Sequence, residues 1–351
     1  MGEQTPGPRR GDRALPRPLG ATPGPDNRDV QALCRASEAW ARTPRAGSTA
    51  TATVTLGPMS TSPRLPLSHV LLGLSVVAIW GSNFVVIKLA LAQWPPLLFA
   101  ALRFVLAFAP AALLLPRPAV AWRLQAAYAT LLGVGQFGVL YLAMRGAISP
   151  GLASLVIQTQ VFFTIALAIR FDGQAGLRPP QWLALGLAAS GIVLIGAHGG
   201  GDATPVGVAM ILFAALCWAA ANIVATRVRG TPMLPFVVWS SIWTVPPLLA
   251  LSLAVEGWPA MRAAVLQADL GGWIALAWQA WGNTVFGYGV WAWLLARHPA
   301  ATISPLALGV PVVGMLSSAL WLGESLPGWK LAAAALVIGG LGLNLWVARR
   351  R

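Results

Sequence analysis

The sequence predicts an all-α polytopic membrane protein whose ten transmembrane helices form two inverted repeats of five. Three observations predict this fold. Only 10% of the 351 residues are charged and 57% are hydrophobic, whereas soluble domains carry about 25% charged residues. Apolar runs of about 20 residues, the length that crosses the hydrocarbon core, recur almost without pause from Leu67 to Val347. Several short motifs of the first half then return in the second half.

The first 66 residues differ in kind from the rest. They are rich in Pro, Gly and Arg and show no helical or strand period, which predicts a disordered tail. No apolar segment of a secretory signal peptide precedes the first span. Met59 opens the stretch "MSTSPRLPLSHVLL", a short polar head followed by a helix. We predict that translation begins at Met59 and that residues 1–58 are absent from the native protein.

Proline, glycine and charged residues divide the remainder into ten apolar spans. The first repeat covers 67–198 and the second covers 205–348. The predicted helices are 68–91, 96–115, 124–144, 149–170, 180–197, 206–226, 235–254, 272–296, 302–322 and 329–348.

The charges between the spans alternate from one side to the other. One side receives ten basic residues and the other receives four. The ten are Arg117, Arg123, Arg170, Arg178, Arg227, Arg229, Arg297, Arg349, Arg350 and Arg351, and the four are Lys88, Arg145, Arg262 and Lys330. Cytoplasmic loops carry the excess of basic residues, so we expect both termini in the cytoplasm of a multi-pass protein of the bacterial plasma membrane. The net charge of +14 forms no basic stripe, which argues against a nucleic-acid partner.

The motif pairs show how the halves are related. "IWGSNFVVIK" (79–88) is echoed by "CWAAANIVATR" (217–227), and "GQFGVLYLAM" (135–144) by "TVFGYGVWAW" (284–293). "SPGLASLV" (149–156) is echoed by "ATISPLAL" (301–308). Because each half has an odd number of spans, the second half must cross the membrane upside down. Inverted repeats are common in secondary carriers, where rocking of one half against the other gives alternating access.

Taken in order, these motifs resemble the EamA family of the drug/metabolite transporter superfamily over residues 67–348. The residues that carry the resemblance are Trp80-Gly81-Ser82-Asn83-Phe84, Pro96, Ala101-Leu102-Arg103-Phe104, Gly135-Gln136-Phe137, Gly151-Leu152-Ala153-Ser154-Leu155, Gln158-Thr159-Gln160, Trp218, Asn222, Ser304-Pro305, Pro311 and Leu322-Gly323-Glu324. Within the family the chain is most similar to exporters of O-acetylserine and cysteine. The resemblance implies an exporter of small metabolites.

Polar residues deep in the spans are the candidate substrate ligands, because polar groups at that depth need partners. They are Asn83, Arg103, Gln136, Tyr141, Gln158, Asn222, Asn283 and Tyr288. Gln158 and Gln160 point away from each other on one helix, and Gln158 is favoured. Each candidate has the alternative of a purely structural hydrogen bond between helices. Pro305 and Pro311 mark either a hinge or a simple kink.

Arg103 is the most costly of these residues to insert, at about 2.5–3.5 kcal/mol. The predicted spans contain no acid that could neutralise it. Asn83 and Gln136 are the expected partners if the first three helices surround one cavity, as the family resemblance implies. A bound substrate carboxylate would be a further partner.

No Walker A, HExxH or GxSxG motif occurs, so we expect neither an ATP-driven pump nor an enzyme. Cys34 and Cys217 have no metal-ligand spacing, and we expect no metal or cofactor. The predicted function is export of small amphipathic metabolites, such as amino acids or their derivatives, by alternating access. The alternatives are a carrier of another solute class (nucleoside, sugar derivative or drug) and a non-transporting membrane scaffold. The expected partners are a small-molecule substrate and the lipid bilayer, and a homodimer is compatible with the sequence.

Overall fold

The computed structural model describes residues 65–171, 176–198, 201–228 and 230–349, without the side chains of residues 300 and 301. The proline-rich tail and the predicted start at Met59 lie outside the described residues.

Nine helices in the described part of the chain are long and apolar enough to cross a membrane. A further helical stretch covers residues 270–297 and continues through a π-helical segment. In chain order we name these helices α1 (Leu67–Ala90), α2 (Pro96–Leu114), α3 (Trp122–Met144), α4 (Pro150–Phe171), α5 (Pro179–His198), α6 (Pro205–Thr226), α7 (Met233–Val255), α8 (270–297), α9 (Ser304–Leu322) and α10 (Gly328–Arg349). The predicted all-α membrane fold is confirmed, and each helix begins and ends close to its predicted bounds.

The two halves share an irregular feature at corresponding places. α3 contains a nine-residue π-helical segment, Thr130–Gly138, and α8 contains another nine-residue segment, Trp278–Phe286. These segments overlap the repeated motifs at 135–144 and 284–293. π-helical turns are rare and frequently occur at functional sites. The third helix of each repeat therefore departs from the regular α-helix at the same point.

α5 and α10 pack closely through two glycines. A Cβ added to Gly340 would lie 2.5 Å from the carbonyl oxygen of Ala184, and one added to Gly191 would lie 2.9 Å from the carbonyl oxygen of Ala333. Small residues let transmembrane helices approach backbone to backbone. Gly340 and Gly191 thus permit the close contact of α5 with α10, whereas Gly339 has nothing within 4 Å of its Cβ position.

Two carboxylates of the second half cap helices of the first half. Glu256 accepts hydrogen bonds from the backbone N–H groups of Leu97 (2.7 Å) and Leu98 (3.1 Å) in the first turn of α2. Glu324 accepts one from the backbone N–H of Gly151 (3.1 Å) at the start of α4. The free N–H groups of a helix N-terminus carry partial positive charge and favour a carboxylate. These caps join the two repeats at the less basic end of the helices.

Candidate functional site

A buried polar network connects helices of both repeats. It consists of Asn83 on α1, Arg103 on α2, Tyr141 on α3, and Gln279 and Thr284 on α8. Arg103, Tyr141 and Gln279 are fully buried, and Asn83 and Thr284 nearly so. Four helices thus contribute polar side chains to one site at membrane depth.

Arg103 lies at the centre of this network and is 0% exposed. One terminal guanidinium nitrogen donates to the Tyr141 hydroxyl oxygen at 2.6 Å, and the other donates to Thr284 Oγ1 at 2.7 Å. The guanidinium carbon lies 4.0 Å from the ring centroid of Phe137 and 4.9 Å from that of Phe104, and ring faces stabilise a cation. Within the described residues Arg103 Nε has no hydrogen-bond partner and no carboxylate forms a salt bridge with the guanidinium.

Gln279 connects the arginine to α1. Its Oε1 accepts a hydrogen bond from the Tyr141 hydroxyl at 3.1 Å, and its Nε2 donates to Asn83 Oδ1 at 2.7 Å. Its backbone oxygen accepts from Thr284 Oγ1 at 2.9 Å. The Asn83 side chain is therefore linked to Arg103 through two intermediate side chains rather than directly.

The π-helical segments place several of these groups. Gln279 and Thr284 both lie in the segment of α8, and Phe137 lies in that of α3. Thr284 bonds to the carbonyl five residues before it, which is the hydrogen-bond spacing of a π-helix. The π-helical segment thus holds Thr284, which bonds to the guanidinium directly, and Gln279, which reaches it through Tyr141.

An aromatic layer adjoins the network on α1 and α8. The Trp80 ring lies 5.6 Å from that of Tyr288 and 5.3 Å from that of Trp291, centroid to centroid. Trp80 Nε1 donates to the backbone oxygen of Asn283 at 3.2 Å. A Cβ at Gly287 would collide with the Trp80 indole, so the glycine permits this close approach. The predicted ligands Asn283 and Tyr288 thus lie beside the network, and Tyr288 is in contact with the aromatic layer.

Gln136 is buried, but it bonds to no residue of the network. Its Oε1 has no hydrogen-bond partner among the described residues. It precedes Phe137, whose ring covers the guanidinium. The structure therefore gives Arg103 the partners Tyr141 and Thr284 instead of the expected pair Asn83 and Gln136.

Two predicted ligands lie apart from this network. Asn222 Nδ2 donates to Gln160 Oε1 at 3.1 Å and to Thr164 Oγ1 at 3.3 Å, which joins α6 to α4. Gln158 is half-buried in a short 3₁₀ turn, Ile157–Thr159. The structure does not bring Asn222 or Gln158 into contact with Arg103.

The two prolines of α9 occupy different settings. Pro305 lies in a 3₁₀ segment, Ser304–Leu308, at the start of the helix. Pro311 is buried in the α-helical part, Gly309–Leu322. The change of helix type between them is where a hinge is expected if α9 bends.

Sequence reasoning missed Gln279 and Thr284. Both lie inside the predicted eighth span, so the test of polarity at membrane depth applied to them as well. Thr284 also begins the motif that echoes "GQFG". Polarity at membrane depth could have identified both residues, and the motif position could have identified Thr284.

Comparison with known proteins relates the chain to transporters. Residues 67–197 and 205–346 match the EamA-like transporter family. The chain is 39% identical, over 80% of its length and 95% of the relative's, to a "Probable amino-acid metabolite efflux pump" of Salmonella typhimurium. It is 36% identical to an Escherichia coli protein of the same name, with the same coverage. A solved crystal structure that covers 81% of this chain and 98% of its own is 21% identical, with a TM-score of 0.56, and so shares the fold.

Proposed function

This chain belongs to the EamA-like transporter family, and from this membership we propose that it is an efflux carrier for amino acids or their derivatives. Two relatives that match nearly their whole length carry the name amino-acid metabolite efflux pump. The inverted repeats supply two rigid halves that can rock against each other around a central site. Transport of a small molecule across the bilayer, rather than catalysis, is the proposed activity.

One observation supports a substrate that has a carboxylate group. Arg103 is completely buried, yet the described residues offer it only hydroxyl groups and aromatic rings. A buried charge is costly unless a partner compensates it. The planar guanidinium matches the geometry of a carboxylate, which can accept two parallel hydrogen bonds. We propose that the carboxylate of the substrate is the missing anion and that it binds at Arg103.

The location of the site supports alternating access. Asn83, Arg103 and Tyr141 come from the first repeat, whereas Gln279 and Thr284 come from the second. A rocking motion of one repeat against the other would separate or rejoin these groups. Substrate binding and conformational change would thereby act on the same hydrogen bonds.

Flux measurements in proteoliposomes test the proposal. Purified protein is reconstituted and loaded with a panel of labelled amino acids and their acetyl derivatives, and efflux is followed for wild type, Arg103→Leu and Arg103→Lys. We expect Arg103→Leu to abolish flux and Arg103→Lys to retain part of it, because lysine keeps the charge but loses the planar fork. Arg145→Leu, at an exposed arginine between α3 and α4, is the matched control and should transport normally.

Abundance must be measured together with flux. If Arg103 is only structural, Arg103→Leu should reach the membrane poorly because Tyr141 and Thr284 lose their donor. Normal abundance with normal flux in Arg103→Leu would contradict both roles. Absence of flux for every carboxylate in the panel, with wild-type protein folded, would contradict the proposed substrate class.

The orientation in the membrane is a further part of the proposal. We place both termini in the cytoplasm and the protein in the bacterial plasma membrane, because the basic residues gather at one end of the helices. Outward transport would then carry the substrate from the end that bears Arg117 and Arg297 to the end that bears Glu256 and Glu324.

A further inference from the structure

The direction of every hydrogen bond in the network follows from Arg103. A guanidinium has only N–H donors and cannot accept. The hydroxyl oxygens of Tyr141 and Thr284 must therefore accept from it, at 2.6 and 2.7 Å. Each hydroxyl then has to send its own proton to another acceptor. Both protons go to Gln279, one to the side-chain oxygen and the other to the backbone oxygen.

This requirement fixes the orientation of the Gln279 amide. Since Oε1 faces Tyr141, Nε2 faces the other way and donates to Asn83 Oδ1 at 2.7 Å. Asn83 consequently uses its acceptor on Gln279, and its Nδ2 group makes no hydrogen bond to the described residues. At the other end of the chain, Arg103 Nε has no partner either. Both open ends of the network are thus N–H donors.

We propose that Gln279 is a positioning residue that determines specificity: it fixes the polarity of the network so that the site presents donors to the substrate. This inference rests on the proposed function and deepens it. Donors at both ends favour a substrate with a carboxylate at Arg103 and a second hydrogen-bond acceptor at Asn83. An amine that lacks the carboxylate would leave the arginine uncompensated.

Replacing Gln279 by glutamate should reverse this polarity. A carboxylate at position 279 still accepts from Tyr141, but it has no amide hydrogen for Asn83. The Asn83 amide would then turn over, donate to the carboxylate and present its oxygen at the open end. The new negative charge would also compensate Arg103, so that a substrate carboxylate would no longer be needed.

The experiment compares two solutes that differ only in the carboxylate. They are the amino acid with the highest wild-type flux in the panel and its decarboxylated amine, for example serine and ethanolamine. We expect wild type to prefer the amino acid, and Gln279→Glu to reduce that preference by at least about tenfold, mainly through the KM values, because hydrogen bonds to charged groups are the strong ones. Gln267→Glu makes the same substitution at an exposed residue of the short helix Trp258–Gln267, outside the network, and should keep the wild-type preference.

Gln279→Met covers the case in which the glutamate variant does not fold. Methionine has a similar size but no N–H donor and only a weakly accepting sulfur, so Tyr141 loses its acceptor and Asn83 loses its donor. Thr284 keeps its bond to the backbone oxygen of residue 279. We expect KM for the amino acid to rise more than KM for the amine. A merely structural role for Gln279 would lower the flux of both solutes with both KM values unchanged, and that result would overturn the inference.

The failures of the inference and of the proposed function have different signatures. If wild type discriminates between the two solutes and Gln279→Glu retains that discrimination, the inference is wrong while the proposed function stands. An equal shift in Gln267→Glu would show a general effect of charge and would also overturn it. If wild type carries no amino acid of the panel, both are wrong.

Discussion

The Nζ atom of Lys330 lies 2.9 Å from Glu324 Oε1, and the lysine side chain is completely buried. Asp202 supplies a second carboxylate oxygen at 2.9 Å from the same ammonium. Glu324 also accepts hydrogen bonds from the Ser149 hydroxyl and the Gly151 backbone N–H. One glutamate thus ties the start of α10 to the start of α4, and the lysine compensates its charge.

Replacement of this lysine should destabilise the protein. In Lys330→Met the buried Glu324 carboxylate keeps its hydrogen bonds but loses its cation, and breaking a buried pair from one side costs about 3–5 kcal/mol. The measurement is thermal unfolding in detergent, followed by intrinsic tryptophan fluorescence. Lys88→Met is the control, because among the described residues the Lys88 ammonium bonds only to the backbone carbonyls of Met144 and Arg145. Equal losses in the two variants would show that the ion pair contributes nothing beyond ordinary hydrogen bonds.

The contact of α5 with α10 should respond to a single methyl group. A Cβ at Gly340 would lie 2.5 Å from the Ala184 oxygen and 3.0 Å from the Ala188 nitrogen, and backbone atoms cannot rotate away. We expect Gly340→Ala to lower the unfolding free energy by about 1–3 kcal/mol. Gly339→Ala should be neutral or slightly stabilising, since nothing lies within 4 Å and alanine is the better helix former. The same thermal unfolding assay reports both, and a stable Gly340→Ala would contradict the packing.

The course of the chain through the membrane could be predicted from the sequence because its signal is local. Every backbone polar group in lipid must be satisfied within its own segment, so apolar length and flanking charges are enough to find a helix. Even α8, with polar residues at 279, 283 and 284, was found between its charged and proline-containing ends. Those polar side chains are buried against other helices.

The partners of Arg103 could not be predicted in the same way. Hydropathy gives the depth of a residue but not the rotation of its helix, and Arg103 and Thr284 are 181 positions apart in the chain. The π-helical segments of α3 and α8 add a further obstacle. After such a segment, each later side chain points in a different direction from the one that a regular α-helix would give it. The expected pairing with Asn83 and Gln136 rested on a cavity surrounded by the first three helices, whereas α8 supplies the partner Thr284.

An irregular helical segment also affects the prediction for α4. The sequence favoured Gln158 over Gln160 as a substrate ligand by assuming regular helical spacing. The turn Ile157–Thr159 is 3₁₀, and beyond it Gln160 is the residue that bonds to Asn222. Whether Gln158 binds substrate stays a prediction.

Asn222 and Asn83 hold equivalent motif positions in the two repeats but should differ in function. Asn222 bonds to Gln160 and Thr164, away from Arg103. We expect Asn222→Leu to lower the unfolding free energy by about 1 kcal/mol, the contribution of a typical hydrogen bond, and to leave the substrate KM unchanged. Asn83→Leu should raise KM, because it removes an open donor of the network. A similar rise of KM in Asn222→Leu would show that Asn222 contacts substrate.

The orientation in the membrane can be tested with two alanines that lie at opposite ends of the transmembrane helices. Ala260 is exposed on the short helix Trp258–Gln267, between α7 and α8, and Ala119 is exposed between α2 and α3. Ala203, in the loop before α6, is unsuitable because it is buried against Ile148. In a background with Cys34→Ser and Cys217→Ala, an impermeant maleimide should label Ala260→Cys in intact spheroplasts. It should label Ala119→Cys only after detergent treatment, since Arg117 and Arg123 mark the basic, cytoplasmic end. Labelling in the opposite order would place both termini outside and would reverse the proposed direction of transport.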